Sequence, residues 1–380
     1  MATTSAAGQR VVAPDLDLYR DPELARHLIA GIEGLAARLD ATRHGEPIRI
    51  MEVCGTHTMA IAKNGLRDIM PDNIILTSGP GCPVCVTSNA DIDKAIELAA
   101  DHNLTITTFG DMLKVPGSRS SLNAEKGDGA DVRVVYSPLD ALALAQAEPE
   151  RQVVFISVGF ETTTPIIAAT IKRAAALDLD NFSVYAANKT VPEALRALAD
   201  DPEIALDGLI LPGHVSTIIG AAPYRFLAEK FGLPCVITGF EPIDILQGVY
   251  MLLEQMVTGR AEIEIAYGRG VHEQGNPRAV ETMYEVFEPC DADWRGLGTI
   301  PGTGLDIRDQ FARFDAERRF DPRPEPAIEP KGCACGEILR GIKTPADCKL
   351  FAKACSPEHP IGPCMVSSEG SCAAAYRYNR

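Results

Sequence analysis

The sequence predicts an α/β protein of two related doubly wound parallel-sheet domains joined to an irregular cysteine-rich domain, and three observations predict it. Short runs rich in Val, Ile, Leu, Phe and Thr recur between Ile48 and Thr238, most of them followed by Gly or Pro and then by an Ala- and Leu-rich helical stretch. That alternation marks βαβ units whose sheet is covered on both faces. Gly159-Phe160-Glu161 closes one run and Gly239-Phe240-Glu241 closes another, which suggests a partial internal duplication. Six of the eleven cysteines crowd between Cys333 and Cys372, behind a Pro-rich stretch from Asp321 to Pro330.

Taken in order, the first fifteen or so residues read as disordered, and Leu24 to Leu39 has helical periodicity. Strands are expected at 48–53, 73–77, 104–109, 132–136, 153–158, 182–186, 208–211 and 235–238, with helices such as Ala90–Ala100 and Pro192–Ala199 between them. The domains are expected at 1–45 (tail and helix, packing on the cysteine-rich domain), 46–145, 146–262 and 263–380. In such sheets ligands gather at the carboxyl ends of the strands. Most of the unusual residues fall there.

A formal net charge of -16 argues against a sequence-independent grip on nucleic acid or on an anionic membrane. The N-terminal residues carry no apolar signal core, and no stretch approaches the roughly eighteen apolar residues of a membrane helix. A cytoplasmic location is expected, and there eleven cysteines point to metal or redox chemistry rather than a disulfide framework.

The stretch Ile48-Arg-Ile-Met-Glu-Val-Cys54-Gly-Thr-His57-Thr58 reads as a buried strand that delivers a cysteine and a histidine into a helix N-terminus, with Thr56 or Thr58 as the cap. Backbone N–H groups and the helix dipole would there stabilise a Cys54 thiolate. His57 could share a metal with that sulfur or act as its proton partner; the plainer reading is a structural cysteine beside a capping histidine. Cys82-Pro-Val-Cys85 precedes a helix capped by Ser88 or Asn89, the arrangement that favours dithiol–disulfide exchange; a zinc half-site lacks its second pair.

Glu161 and Glu241 either charge the first turn of a following helix or serve the site. His214, in Leu211-Pro-Gly-His-Val-Ser216, reads as a hydrogen-bonded structural residue first. No Gly-rich turn spells a nucleotide-binding fingerprint. In the C-terminal region Cys333, Cys348, Cys355 and Cys372 are spaced by 14, 6 and 16 residues, leaving Cys335 and Cys364 as a second pair. Four thiolates on a Gly- and Pro-rich scaffold suit a 4Fe-4S cluster, which would make this an iron-sulfur cluster domain; four-cysteine zinc is the competitor, although its Cys-x-x-Cys knuckles are missing here.

Cys54-Gly-Thr-His57-Thr58, Gly79-Pro-Gly-Cys82-Pro-Val-Cys85, Gly159-Phe-Glu-Thr-Thr163, Pro212-Gly-His214-Val-Ser216, Lys343-Thr-Pro-Ala-Asp-Cys348 and Gly362-Pro-Cys364-Met-Val-Ser-Ser-Glu-Gly370 together resemble the HypD family of nickel-iron hydrogenase maturation proteins. The resemblance runs from about residue 48 to residue 376, without departure at the cysteines. It implies a cytoplasmic iron-sulfur scaffold that pairs with a HypC-type chaperone and receives cyanide from a HypE-type donor, so that a transient Fe(CN)2CO centre is assembled on it. By the same resemblance Cys54 holds the nascent iron with His57 beside it, Cys82 and Cys85 are a redox-active pair, and Cys335 with Cys364 is a second dithiol. Cys333, Cys348, Cys355 and Cys372 are then the cluster ligands. A cluster-dependent dithiol oxidoreductase and a zinc-stabilised interaction module are the rival expectations.

Overall fold

Apolar side chains on both faces of a strand leave it nowhere to sit but inside a covered sheet, and two such sheets form in this computed structural model, which describes residues 19–378. The expectation for the first fifteen residues lies outside the described residues. One sheet joins β1 (Ile48–Glu52), β2 (Ile74–Ser78), β7 (Gly208–Pro212), β8 (Cys235–Thr238) and β9 (Ile263–Ile265) in the order β2-β1-β7-β8-β9. The other joins β3 (Leu104–Thr108), β4 (Asp131–Val134), β5 (Gln152–Ser157) and β6 (Phe182–Ala186) in the order β4-β3-β5-β6. Every pairing in both is parallel, as helical crossovers require. All eight expected strands are present, within two residues of their expected ends.

The expected domain boundaries do not survive this topology. A break at 145/146 would separate β3 and β4 from β5 and β6, and would separate β1 and β2 from the strands that complete their sheet. The chain starts the five-stranded sheet, leaves to build all of the four-stranded one, and returns. Sequence periodicity identifies strands but carries no information on which strands pair. Both Gly-Phe-Glu turns end a strand second from an edge of its sheet, β5 beside β6 and β8 beside β9; counted from the opposite edges, β4 and β2, the two strands are one position apart.

Two further expectations shift. The helix Pro22–Arg43 packs its Ile32, Leu35, Ala36 and Leu39 against Ile48, Ile50, Val249 and Leu252, the core of the five-stranded sheet, rather than on the cysteine-rich region. Residues 263–320 also belong elsewhere than expected. β9 closes the five-stranded sheet, and the antiparallel hairpin of β10 (Phe287–Trp294) and β11 (Gly298–Ile307) lays Phe287, Leu305 and Ile307 on Phe155 and Phe182 of the four-stranded sheet.

The tip of that hairpin reaches the cysteines. Trp294 is buried, donates its indole N–H to the Thr303 hydroxyl at 2.8 Å and stacks on Phe160. The Arg295 backbone N–H meets the Val86 carbonyl at 2.9 Å. Gly296, at φ +79°, lies backbone to backbone with Gly336, where a Cβ would collide.

Candidate functional site

Strand β1 runs into Cys54, which is itself the N-cap of the helix Gly55–Lys63. Neither Thr56 nor Thr58 is the cap; the helix starts four residues earlier than its apolar pattern suggests. Thr56 donates instead to Glu369 at 2.7 Å, and Thr58 donates to Glu52 at 2.6 Å. The Glu52 carboxylate also accepts the Cys54 backbone N–H at 3.2 Å. The next strand end crosses close by. Gly81 packs against the Cys54 backbone with no room for a Cβ, and its carbonyl accepts the Gly55 N–H at 3.0 Å.

Cys82 and Cys85 follow directly, paired as a disulfide with Cα atoms 5.2 Å apart. Both are buried. Cys82 caps the short helix Pro83–Val86, and Ser88 caps the helix Asn89–Ala100.

A cleft of about 380 Å3 collects these ends, lined by Cys54, Gly81, Pro83, Phe160, His214 and Glu369 among others. Its walls come from both sheets and from the C-terminal segment. Cys54 and the Pro83 loop therefore share a site, and His214 joins it at the mouth, as strand-end chemistry predicts.

Electrostatics alter the expected Cys54. Burial pushes its thiol up to about 12, the Glu369 charge adds to that, and the Thr56 and His57 backbone N–H groups offset only part of it. At rest this is a protonated, inert thiol, and a metal that replaces the proton would convert it to a thiolate. His57 does not serve as its proton partner. The ring turns to β8, where Nε2 donates to the Gly239 carbonyl at 2.8 Å, and it stacks on Phe240, whose other face carries His214. Since a carbonyl can only accept, the proton sits on Nε2 and leaves Nδ1 bare; Nδ1 is buried without a partner among the described residues. Burial holds the ring neutral, with its pKa down to about 4.

The two Gly-Phe-Glu carboxylates part company. Glu161 is buried, accepts the Val191 N–H at 2.9 Å and is pushed up to about 7 by burial. Glu241 pairs with Arg20 at the surface, and that guanidinium holds it below the usual carboxylate range.

The C-terminal cysteines do converge. Cys333, Cys335, Cys348, Cys355, Cys364 and Cys372 line one cavity, and the Cys335 and Cys364 sulfurs are 2.9 Å apart. Burial raises the Cys372 thiol, and the sulfurs of Cys335, Cys333, Cys355 and Cys348 each raise it further. Among the described residues no three His, Cys, Asp or Glu converge tightly enough to hold a single ion. A four-iron cluster asks for something different, four thiolates spread around a larger body. All four expected ligands line that one cavity, the donor set such a cluster would take. The short helices Pro83–Val86 and Pro363–Val366 pack on each other, so the two cysteine pairs are neighbours.

Comparison with known proteins follows this geometry. The HypD profile, described as "Hydrogenase formation hypA family", matches residues 24–379. The chain belongs to the HypD family. Proteins called hydrogenase maturation factor HypD from Cupriavidus necator, Rhodobacter capsulatus and Escherichia coli are 46%, 48% and 44% identical to it, over 96%, 95% and 96% of this chain and 97%, 97% and 98% of theirs. HypD membership places the chain among hydrogenase maturation factors.

Two residues of this HypD site had no role in the sequence reading. Glu52 could have been found, since it is an acid inside an apolar strand, where burial demands a partner. Glu369 lies 313 positions from Thr56, and no local signal joins them.

Proposed function

We propose that this chain is the scaffold on which the Fe(CN)2CO unit of nickel-iron hydrogenase is assembled, with a HypC-type chaperone as partner and a HypE-type protein as cyanide donor, in the cytoplasm. The observation that carries this reading is Cys54 in a cleft walled by both sheets and by the Glu369 segment, with the Cys82–Cys85 disulfide loop against its backbone. The iron is cargo. Cys54 would bind it as a soft thiolate suited to low-spin iron with cyanide and carbonyl ligands, losing its proton as the metal enters. Glu52 fixes the Cys54 backbone, and Glu369 sets a carboxylate at the cleft wall.

Cys333, Cys348, Cys355 and Cys372 would hold a 4Fe-4S cluster, which when bound supplies one-electron chemistry. Cys82–Cys85 and Cys335–Cys364 would cycle between dithiol and disulfide. No helix among the described residues is long and apolar enough to cross a membrane.

Infrared spectroscopy of the anaerobic protein, co-produced with its partners, tests the assignment. Cyanide and carbonyl bands in the parent that vanish in Cys54→Ala support it. Dithiol turnover in partner complexes that never show those bands would favour the oxidoreductase reading, which the adjacency of the two cysteine pairs makes the natural second choice.

A further inference from the structure

A second cavity, of about 390 Å3, lies along β2, the edge strand of the five-stranded sheet, and no cysteine lines it. The volume falls in the range of small-molecule sites, roughly 300–1,000 Å3. Its walls are mostly apolar: Ile74 and Leu76 on the strand, Ile338 and Phe351 from the cysteine-rich segment, and Ala375 from the last helix. Pro345 and Ala346 share in closing it, so it takes a compact molecule rather than an added strand.

Two cations break the apolar lining, Arg67 and Lys343, and Lys343 is already paired with Glu337 at 2.6 Å. The Arg67 guanidinium donates from Nε to the Leu76 carbonyl at 3.2 Å and from one terminal nitrogen to the Ser78 hydroxyl at 3.0 Å. Its other terminal nitrogen has no partner, and no carboxylate lies within 4.0 Å of it, among the described residues. The nearest acidic charges, Glu52 across Ser78 and Asp68, act on it only from beyond contact distance, and a half-buried guanidinium with no carboxylate in contact is costly, all the more notable in a chain with net charge -16. Burial accordingly lowers the Arg67 pKa.

We propose that this cavity binds a small amphipathic monocarboxylate, with its carboxylate on the Arg67 guanidinium and its apolar body along Ile74, Leu76, Ile338 and Phe351. The site is separate from the iron-assembly cleft and does not rest on that reading. It is nevertheless connected to it. Thr58 and Ser78, both on the cavity wall, hydrogen-bond the Glu52 carboxylate that holds the Cys54 N–H.

Calorimetric titration of the full chain with sodium octanoate, and with 1-octanol as its uncharged counterpart, tests the proposal. The parent should bind one octanoate. Arg67→Met should weaken octanoate roughly 10- to 100-fold, the range of a charge-assisted hydrogen bond, and leave octanol unchanged. Ala375→Phe, which keeps Arg67 and fills the cavity, should weaken both probes; it carries the test if Arg67→Met does not fold. No octanoate binding at millimolar concentration, octanol binding as tightly as octanoate, or unchanged octanoate affinity in Ala375→Phe would each overturn the site.

Discussion

The Thr56 hydroxyl donates to the Glu369 carboxylate at 2.7 Å, and this bond fastens the C-terminal cysteine-rich segment to the helix that Cys54 caps. Thr56→Val should therefore destabilise the protein by about 1.5–3 kcal/mol, the loss of a hydrogen bond to a charged group. Gly55→Ala should cost about 1–3 kcal/mol by overpacking, because a Cβ there runs into Glu369. Denaturant midpoints at constant slope check both; an unchanged midpoint in Thr56→Val would mean that the segment is held by other contacts.

With its pKa near 12, the Cys54 thiol should resist alkylation at neutral pH. Its rate with iodoacetamide, followed by peptide mass mapping, should rise about tenfold per pH unit across the alkaline range that the fold survives, since the thiolate is the nucleophile. The unfolded chain should react at this position orders of magnitude faster at pH 8. Fast labelling of the native protein at neutral pH would contradict the burial argument.

Glu161 and His57 give stability opposite pH slopes. The Glu161 pKa rises from 4.5 to about 7 on folding, so between those values the folded state binds more protons and stability falls as pH rises, by at most about 3 kcal/mol. The His57 pKa falls from 6.5 to about 4; there the unfolded state binds more protons, and stability is lost as pH falls through that window. Glu52, also raised to about 7, adds to the first slope. Glu161→Gln should then flatten the decline between pH 6.5 and 7.5 without abolishing it, and His57→Gln should steepen the decline between pH 4.5 and 6.5. Melting curves across pH 4.5–8 decide.

Reconstitution with iron and sulfide should separate the C-terminal cysteines into two groups. Serine at Cys348 or Cys372 should lower bound iron and acid-labile sulfide sharply, whereas serine at Cys335 should leave both near the parent level. Zinc bound without labile sulfide would instead favour a structural metal site.

The fold class was legible because each strand is a local object. Runs such as Val153–Ile156 are apolar at every position, and the glycines and prolines after them are local stops. β9, β10 and β11 were missed for the converse reason: β9 spans three residues, and the hairpin strands alternate polar residues outward with a bulge at Asp291, which breaks the period of two.

At the site, residue types and motif spacing by themselves determined the family and the placing of the chemistry at strand ends. Only the tertiary structure decided which strands share a sheet, that His57 faces β8 instead of the Cys54 sulfur, and that Glu369 enters the cleft. Only it decided the state of Cys54 as well. A helix N-terminus favours a thiolate, but the same fold takes the sulfur out of water, and desolvation outweighs the few N–H groups that face it. Pairing and burial are properties of distant segments brought together, and no local pattern carries them.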